Sequence, residues 1–152
     1  MLYHLLYPLK SVFGAFNVFR YITFRTIFAI LTALIISMVV GTWFIRKLKD
    51  MQIGQYIRED GPQSHHAKTG TPTMGGLMII FATLTATVLW ADLTNAYIWL
   101  LVLVTLGFGL IGFFDDYFKV IKKHNKGLSG RAKLVSQTLV ALVPAIWFYA
   151  NP

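Results

Sequence analysis

The chain contains no cysteine, which excludes disulfides and thiol chemistry but does not fix a compartment. It is also short of charge: 13% of its 152 residues are charged against 56% hydrophobic, with a mean hydropathy of +0.60. A soluble domain of this size is not so apolar, so the composition is that of a membrane protein. Of the charged residues the acidic are the scarcer, 6 against 14 basic ones, for a net charge of +8. Basic residues between long apolar runs set topology or meet anionic lipid and phosphate, so nucleic acid is not an expected partner. The N-terminus lacks the sequence of basic region, short apolar core and small-residue cleavage site that marks a cleaved signal peptide. No repeat or low-complexity tract is present.

What the chain does have is long apolar runs. Four stretches, about 22–45, 73–91, 96–114 and 134–150, approach the length a hydrocarbon core requires. Backbone polar groups in lipid need internal partners, so the expected fold is all-α: a single polytopic helical membrane domain over residues 1–152. Arg25 falls near the outer end of the first span, where its stem can snorkel to the interface. Pro144 should kink the fourth helix or mark a packed break. The opening "MLYHLLYPLKSVFGAFNVFR" is expected to lie in the interface or pack on the bundle rather than cross. The short connection "ADLTN" makes the second and third spans a tight hairpin.

That hairpin carries no basic residue, whereas the connections 46–72 and 115–133 are rich in lysine and arginine. The two basic connections should therefore be cytoplasmic and the N-terminus outside. With this topology, Asp115 and Asp116 reach the cytoplasmic end of the third helix, and "GTPTMGG" begins the second at the same surface. Two adjacent carboxylates at a helix C-terminus face the negative end of the dipole and repel each other, so a positive partner is expected. In "GTPTMGG", Thr71 is suited to cap the helix and Pro72 to its first position, leaving free amides for an anion. Thr73 adds a hydroxyl, and Gly75 with Gly76 permits close backbone approach. Lys119, Lys122, Lys123 and Lys126 recur at helical spacing, and Arg131 follows. Carboxylates, a helix N-terminus and several cations suit a phosphate-rich ligand. Magnesium, held by one or two carboxylates together with substrate phosphates, would neutralise the pair. Phosphoryl transfer needs little beyond positioning and charge stabilisation.

Each feature also has a plainer reading. The basic face serves as a topology determinant, the aspartates as a solvated helix end paired with Lys119, and "GTPTMGG" as a helix start with small packing residues. His65 and His66 are a weak zinc signal, read as loop or ligand-contacting residues. Ser136 and Gln137 are expected to bond between helices. The functional alternatives are a non-catalytic membrane module that binds anionic lipid or partner helices, and a small anion transporter. A transporter would place its charges near the midplane, and here they sit at helix ends.

Taken together, "DGPQSHHAKTGTPTMGG" (60–76) and "GFFDDYFKVIKKHNKGL" (112–128) resemble the phospho-N-acetylmuramoyl-pentapeptide-transferase family, and "FNVFRYITFR" resembles its N-terminal region. The aspartate pair is shared more widely in the polyprenyl-phosphate N-acetylhexosamine 1-phosphate transferase superfamily. The resemblance implies transfer of phospho-MurNAc-pentapeptide from UDP-MurNAc-pentapeptide to undecaprenyl phosphate, giving lipid I and UMP, with Mg2+ required. It implies a multi-pass protein of the bacterial inner membrane, working in peptidoglycan biosynthesis with its site on the cytoplasmic face. By the same resemblance Asp115 activates the lipid phosphate or acts at the metal, and Asp116 is its partner there. Lys68 and Thr73 match positions of the nucleotide pocket, and Lys119, Lys123 and Arg131 match basic positions near the phosphates. Membrane lipid and a second copy of the chain are candidate partners. Family members are more than twice as long, with about ten transmembrane helices and a later magnesium-binding aspartate. The chain is therefore expected to be an N-terminal portion, with about four of those helices and no activity alone.

Overall fold

A computed structural model describes residues 1–50, 74–121 and 127–151. Helix α1 (Leu2–Leu6) leads into two 3-10 turns, Tyr7–Ser11 and Gly14–Arg20, and then into four apolar helices: α2 (Ile22–Asp50), α3 (Gly75–Trp90), α4 (Ala96–Ile121) and α5 (Gly130–Ala150). No strand occurs among the described residues. α2, α4 and α5 are long and apolar enough to cross a membrane, and α3, with 16 residues, is a shorter apolar helix of about 24 Å. The fold is that of a polytopic helical membrane protein.

Hydroxyls within these helices are satisfied locally, as an apolar solvent demands. Thr26, Thr32, Thr42 and Thr87 each donate to the carbonyl four residues back, at 2.7 to 3.2 Å. Ser136 does the same to Ala132 at 2.8 Å, so its hydroxyl serves its own helix rather than a neighbouring one. α5 is continuous through Pro144; the missing amide costs one backbone bond without breaking the helix.

The helices form a row. α2 packs on α3, α3 on α4 and α4 on α5, and among the described residues no contact joins α2 to α4 or α3 to α5. Met78, Ala82 and Ala86, one helical turn apart, form the buried stripe of α3. The indole of Trp90 donates to Thr32 Oγ1 at 2.9 Å and ties α3 to α2. α4 uses two glycines on roughly opposite faces. A Cβ on Gly107 would lie 2.8 Å from Val140 of α5, and one on Gly109 would lie 2.6 Å from Ile80 of α3. Both neighbours approach more closely than a larger residue would permit.

The α3–α4 hairpin is held by its own polar residues. Asp92 Oδ1 accepts from the Thr94 amide and hydroxyl at 3.1 and 2.7 Å, and Asn95 Oδ1 accepts from the Tyr97 amide at 2.9 Å, capping α4. The N-terminal segment packs on this end. The amino group of Met1 donates to the Val88 carbonyl at 2.8 Å, and the Leu93 amide donates to His4 Nε2 at 3.1 Å. Arg25 does not simply reach outward: its guanidinium lies 4.5 Å from the centre of the Tyr3 ring.

Several boundaries differ from those the hydropathy suggests. α2 runs on to Asp50 instead of ending near residue 45, α4 continues to Ile121 past both aspartates, and α5 starts at Gly130 rather than 134. Amphipathic ends prolong a helix where the apolar run stops, because intrahelical hydrogen bonding does not depend on hydropathy.

Candidate functional site

Asp115 and Asp116 lie in the last two turns of α4 rather than beyond its end. Asp115 is buried at 7% exposure, the only buried charged residue among those described. Its cations come from two helices. Lys119, one turn on in α4, donates to Asp115 Oδ2 at 2.7 Å and to Asp116 Oδ1 at 3.1 Å. Lys133, in the first turns of α5, reaches the same Asp115 Oδ2 at 3.2 Å. The Leu128 amide donates to Asp115 Oδ1 at 3.0 Å. A carboxylate so surrounded is fixed in direction.

Local sequence explains the α5 side of this knot. Ser129 is the N-cap: its hydroxyl accepts from the Ala132 amide at 3.3 Å, and its carbonyl accepts from the Lys133 amide at 2.9 Å. This fixes where Lys133 emerges. Gly127 lets the chain pass directly over Asp115, since a Cβ there would fall on the Asp115 carboxylate and carbonyl.

The second motif arrives from α3. Met74 precedes this helix in the left-handed region, with φ 69°, and has no side-chain cap. The helix thus begins at Gly75, three residues after the start that a Thr71 cap with Pro72 would give, because Met74 itself is not helical. Met74, Gly76 and Ile80 face Phe108, Gly112 and Phe113 across a groove of about 590 Å³ whose lining includes both Asp115 and Asp116. Gly76 and Gly112 have open space where a side chain would point. The groove is apolar along its length and acidic at one end.

Of the residues singled out from sequence, Asp115, Asp116 and Lys119 are brought together. Arg131 is exposed and makes no ion pair with a described residue. Lys68, Thr73 and Lys123 lie outside the described residues, as do His65, His66, Thr71, Pro72, Lys122 and Lys126. Lys133 and Gly127 were not singled out. Lysine in the first turns of a helix opposes the dipole, as aspartate does in the last turns, and this shared anomaly is the signal that pairs them.

No group of three His, Cys, Asp or Glu side chains that could hold a metal occurs among the described residues. The aspartate pair is a two-carboxylate donor set, the kind magnesium uses alongside phosphates. Asp116, partly exposed and bonded among the described residues only through Oδ1, is the better placed of the two to donate.

No family model matches the chain. Over all 152 residues it is 55% identical to the phospho-N-acetylmuramoyl-pentapeptide-transferase of Syntrophus aciditrophicus, covering 42% of that protein. It is 64% identical over 141 residues to the protein of that name from Desulfatibacillum aliphaticivorans, covering 93% of this chain and 39% of the relative. To the one from Pelobacter propionicus it is 53% identical over 152 residues, covering all of this chain and 42% of the relative. The chain spans about two fifths of the length of these curated relatives. From end to end, then, this chain is similar to part of the phospho-N-acetylmuramoyl-pentapeptide-transferases.

Proposed function

We propose that the chain forms the N-terminal part of a membrane transferase that moves phospho-MurNAc-pentapeptide from UDP-MurNAc-pentapeptide to undecaprenyl phosphate, releasing UMP and leaving lipid I. The observation that carries this is the groove between α3 and α4, apolar along its walls and ending at Asp115 and Asp116 beside Lys119. A polyprenyl tail matches the walls, and a phosphate matches the charged end. An oxygen of the lipid phosphate attacks the sugar-bearing phosphorus of the UDP-sugar, forming one P–O bond as the bond to UMP breaks.

The residues here supply position and charge. Lys119 and Lys133 lie where phosphate oxygens gain negative charge, and Asp115 holds both ammonium groups in place. Mg2+, when bound, supplies charge neutralisation across the phosphates, with Asp116 and then Asp115 as its donors from this chain. The site faces the cytoplasm of a bacterial inner membrane, with the α3–α4 hairpin and the N-terminus outside. The absence of basic residues from that hairpin supports this orientation. Lys68, Thr73, Lys123 and Arg131 belong to the nucleotide and phosphate contacts of the same site.

In the whole protein, Asp115→Asn should lower UMP release by roughly two orders of magnitude or more while insertion and helicity stay intact. Full activity in that variant would remove Asp115 from the mechanism. Lys119→Arg preserves charge but changes shape; unchanged turnover would reduce Lys119 to a topology signal.

A further inference from the structure

At the end of the molecule opposite the aspartates lies a second cavity, of about 550 Å³, between α2, α3 and the start of α4. Its size is within the roughly 300–1,000 Å³ of small-molecule sites. Ala29, Ala33 and Ala86 form part of its apolar wall, and Arg25, Asp92 and Asn95 also line it. Ala96 and Asp115 are nineteen residues apart on α4, about 28 Å at 1.5 Å per residue, which is close to the thickness of a hydrocarbon core. With the aspartate pair at one interface, Arg25 and Asp92 therefore stand at headgroup level on the other.

The charged groups here are incompletely satisfied. Arg25 sits in the first turn of α2, where a cation opposes the helix dipole, and its Nε is buried without a hydrogen-bond partner. It rests against Tyr3 and makes no ion pair with Asp92, although both line the same cavity. Asp92 accepts from Thr94 through Oδ1, with His4 Nε2 3.1 Å from the same oxygen, and Oδ2 has no partner among the described residues. The Asn95 amide group is free to donate, since only its oxygen is used, in capping α4. A cation and an anion lining one cavity without joining each other complement a ligand that carries both signs.

We propose that this cavity binds one phospholipid with a primary-amine headgroup: phosphate on Arg25 and Asn95, ammonium on Asp92, and an acyl chain along the alanine-lined wall. A purely anionic lipid would bring its charge to Asp92 without compensation. A quaternary amine would offer Asp92 no hydrogen bond. This site is independent of the transfer chemistry at the other end.

The test is native mass spectrometry of the full chain, released from nanodiscs and titrated with phosphatidylethanolamine, phosphatidylglycerol or phosphatidylcholine. Phosphatidylethanolamine should be retained about tenfold better than the other two, as expected for one added charge-assisted contact. Asp92→Asn keeps the acceptor for Thr94 and should erase that preference, leaving phosphatidylethanolamine and phosphatidylglycerol alike. Arg25→Gln should weaken retention of all three; if it fails to insert, Arg25→Lys, which loses the planar fork, should give a partial loss. Equal retention of the three lipids by the unaltered chain would mean a non-specific annulus and overturn the proposal. So would an undiminished preference in Asp92→Asn. A disulfide between two copies of an Ala33→Cys variant, with no lipid retained, would instead assign the groove to a second chain and also overturn it.

Discussion

At the scale of single residues, the molecule turns on a carboxylate whose surroundings come from two helices. Asp115 keeps the Lys119 and Leu128 contacts if Lys133 is lost, so Lys133→Met should cost only about 1 kcal/mol, read as a small drop in unfolding midpoint in detergent. Gly127→Ala should cost more, about 2 kcal/mol, because its methyl group would meet the carboxylate and displace the Leu128 amide. If the two variants proved equally mild, the close passage over Asp115 would not matter. Asp92, outside the membrane-spanning helices, behaves differently. The Thr94 hydroxyl bond, which outweighs the opposing effect of burial, together with the Thr94 amide and the neighbouring His4 and Arg25, holds its carboxyl below the usual range. Its contribution is therefore present above the ordinary carboxylate pKa of about 4 and lost as pH falls through the lower folded value. Asp92→Asn should flatten the acid limb of a pH–stability curve; an unchanged limb would contradict the hairpin's dependence on that charge. In the sequence, Asp115 announced itself by sitting at the wrong end of a dipole. Lys133 carried the mirror-image anomaly, but nothing in a one-dimensional reading says that two such ends meet.

Between helices, contact depends on residues too small for hydropathy to register. The α4–α5 seam relies on Gly107 against Val140, where a Cβ would stand 2.8 Å from a valine methyl. Gly107→Ala should cost about 1–3 kcal/mol, and Val140→Ala in the same chain should recover most of it. Additive losses in that double variant would show that the two residues do not share a contact. The existence and class of the elements were legible, because apolar runs of membrane length leave the backbone no alternative. Their ends were less so. α4 outlasts its apolar run by the aspartates and beyond, and α3 starts late because Met74 takes a left-handed backbone that no propensity rule assigns to methionine.

Across the whole molecule the four apolar helices form a row, each touching among them only its neighbours in sequence among the described residues. That arrangement leaves broad apolar faces, with Ile30, Met38, Leu101 and Ile146 among the exposed side chains. Membrane character was readable from composition; the open row was not, since hydropathy does not distinguish a face turned to lipid from one turned to another helix. The proposed orientation is easily checked because the chain has no cysteine of its own. Thr94→Cys in the hairpin should react with an impermeant maleimide from outside intact cells, and Lys47→Cys should react only after permeabilisation. The reverse pattern would invert the topology. The ionic knot between α4 and α5 has a kinetic consequence here. Turning that pair of helices over would drag Asp115, Asp116, Lys119 and Lys133 through the hydrocarbon core. With each charge costing roughly 2.5–3.5 kcal/mol at its centre, whichever orientation is set during insertion becomes, in effect, permanent.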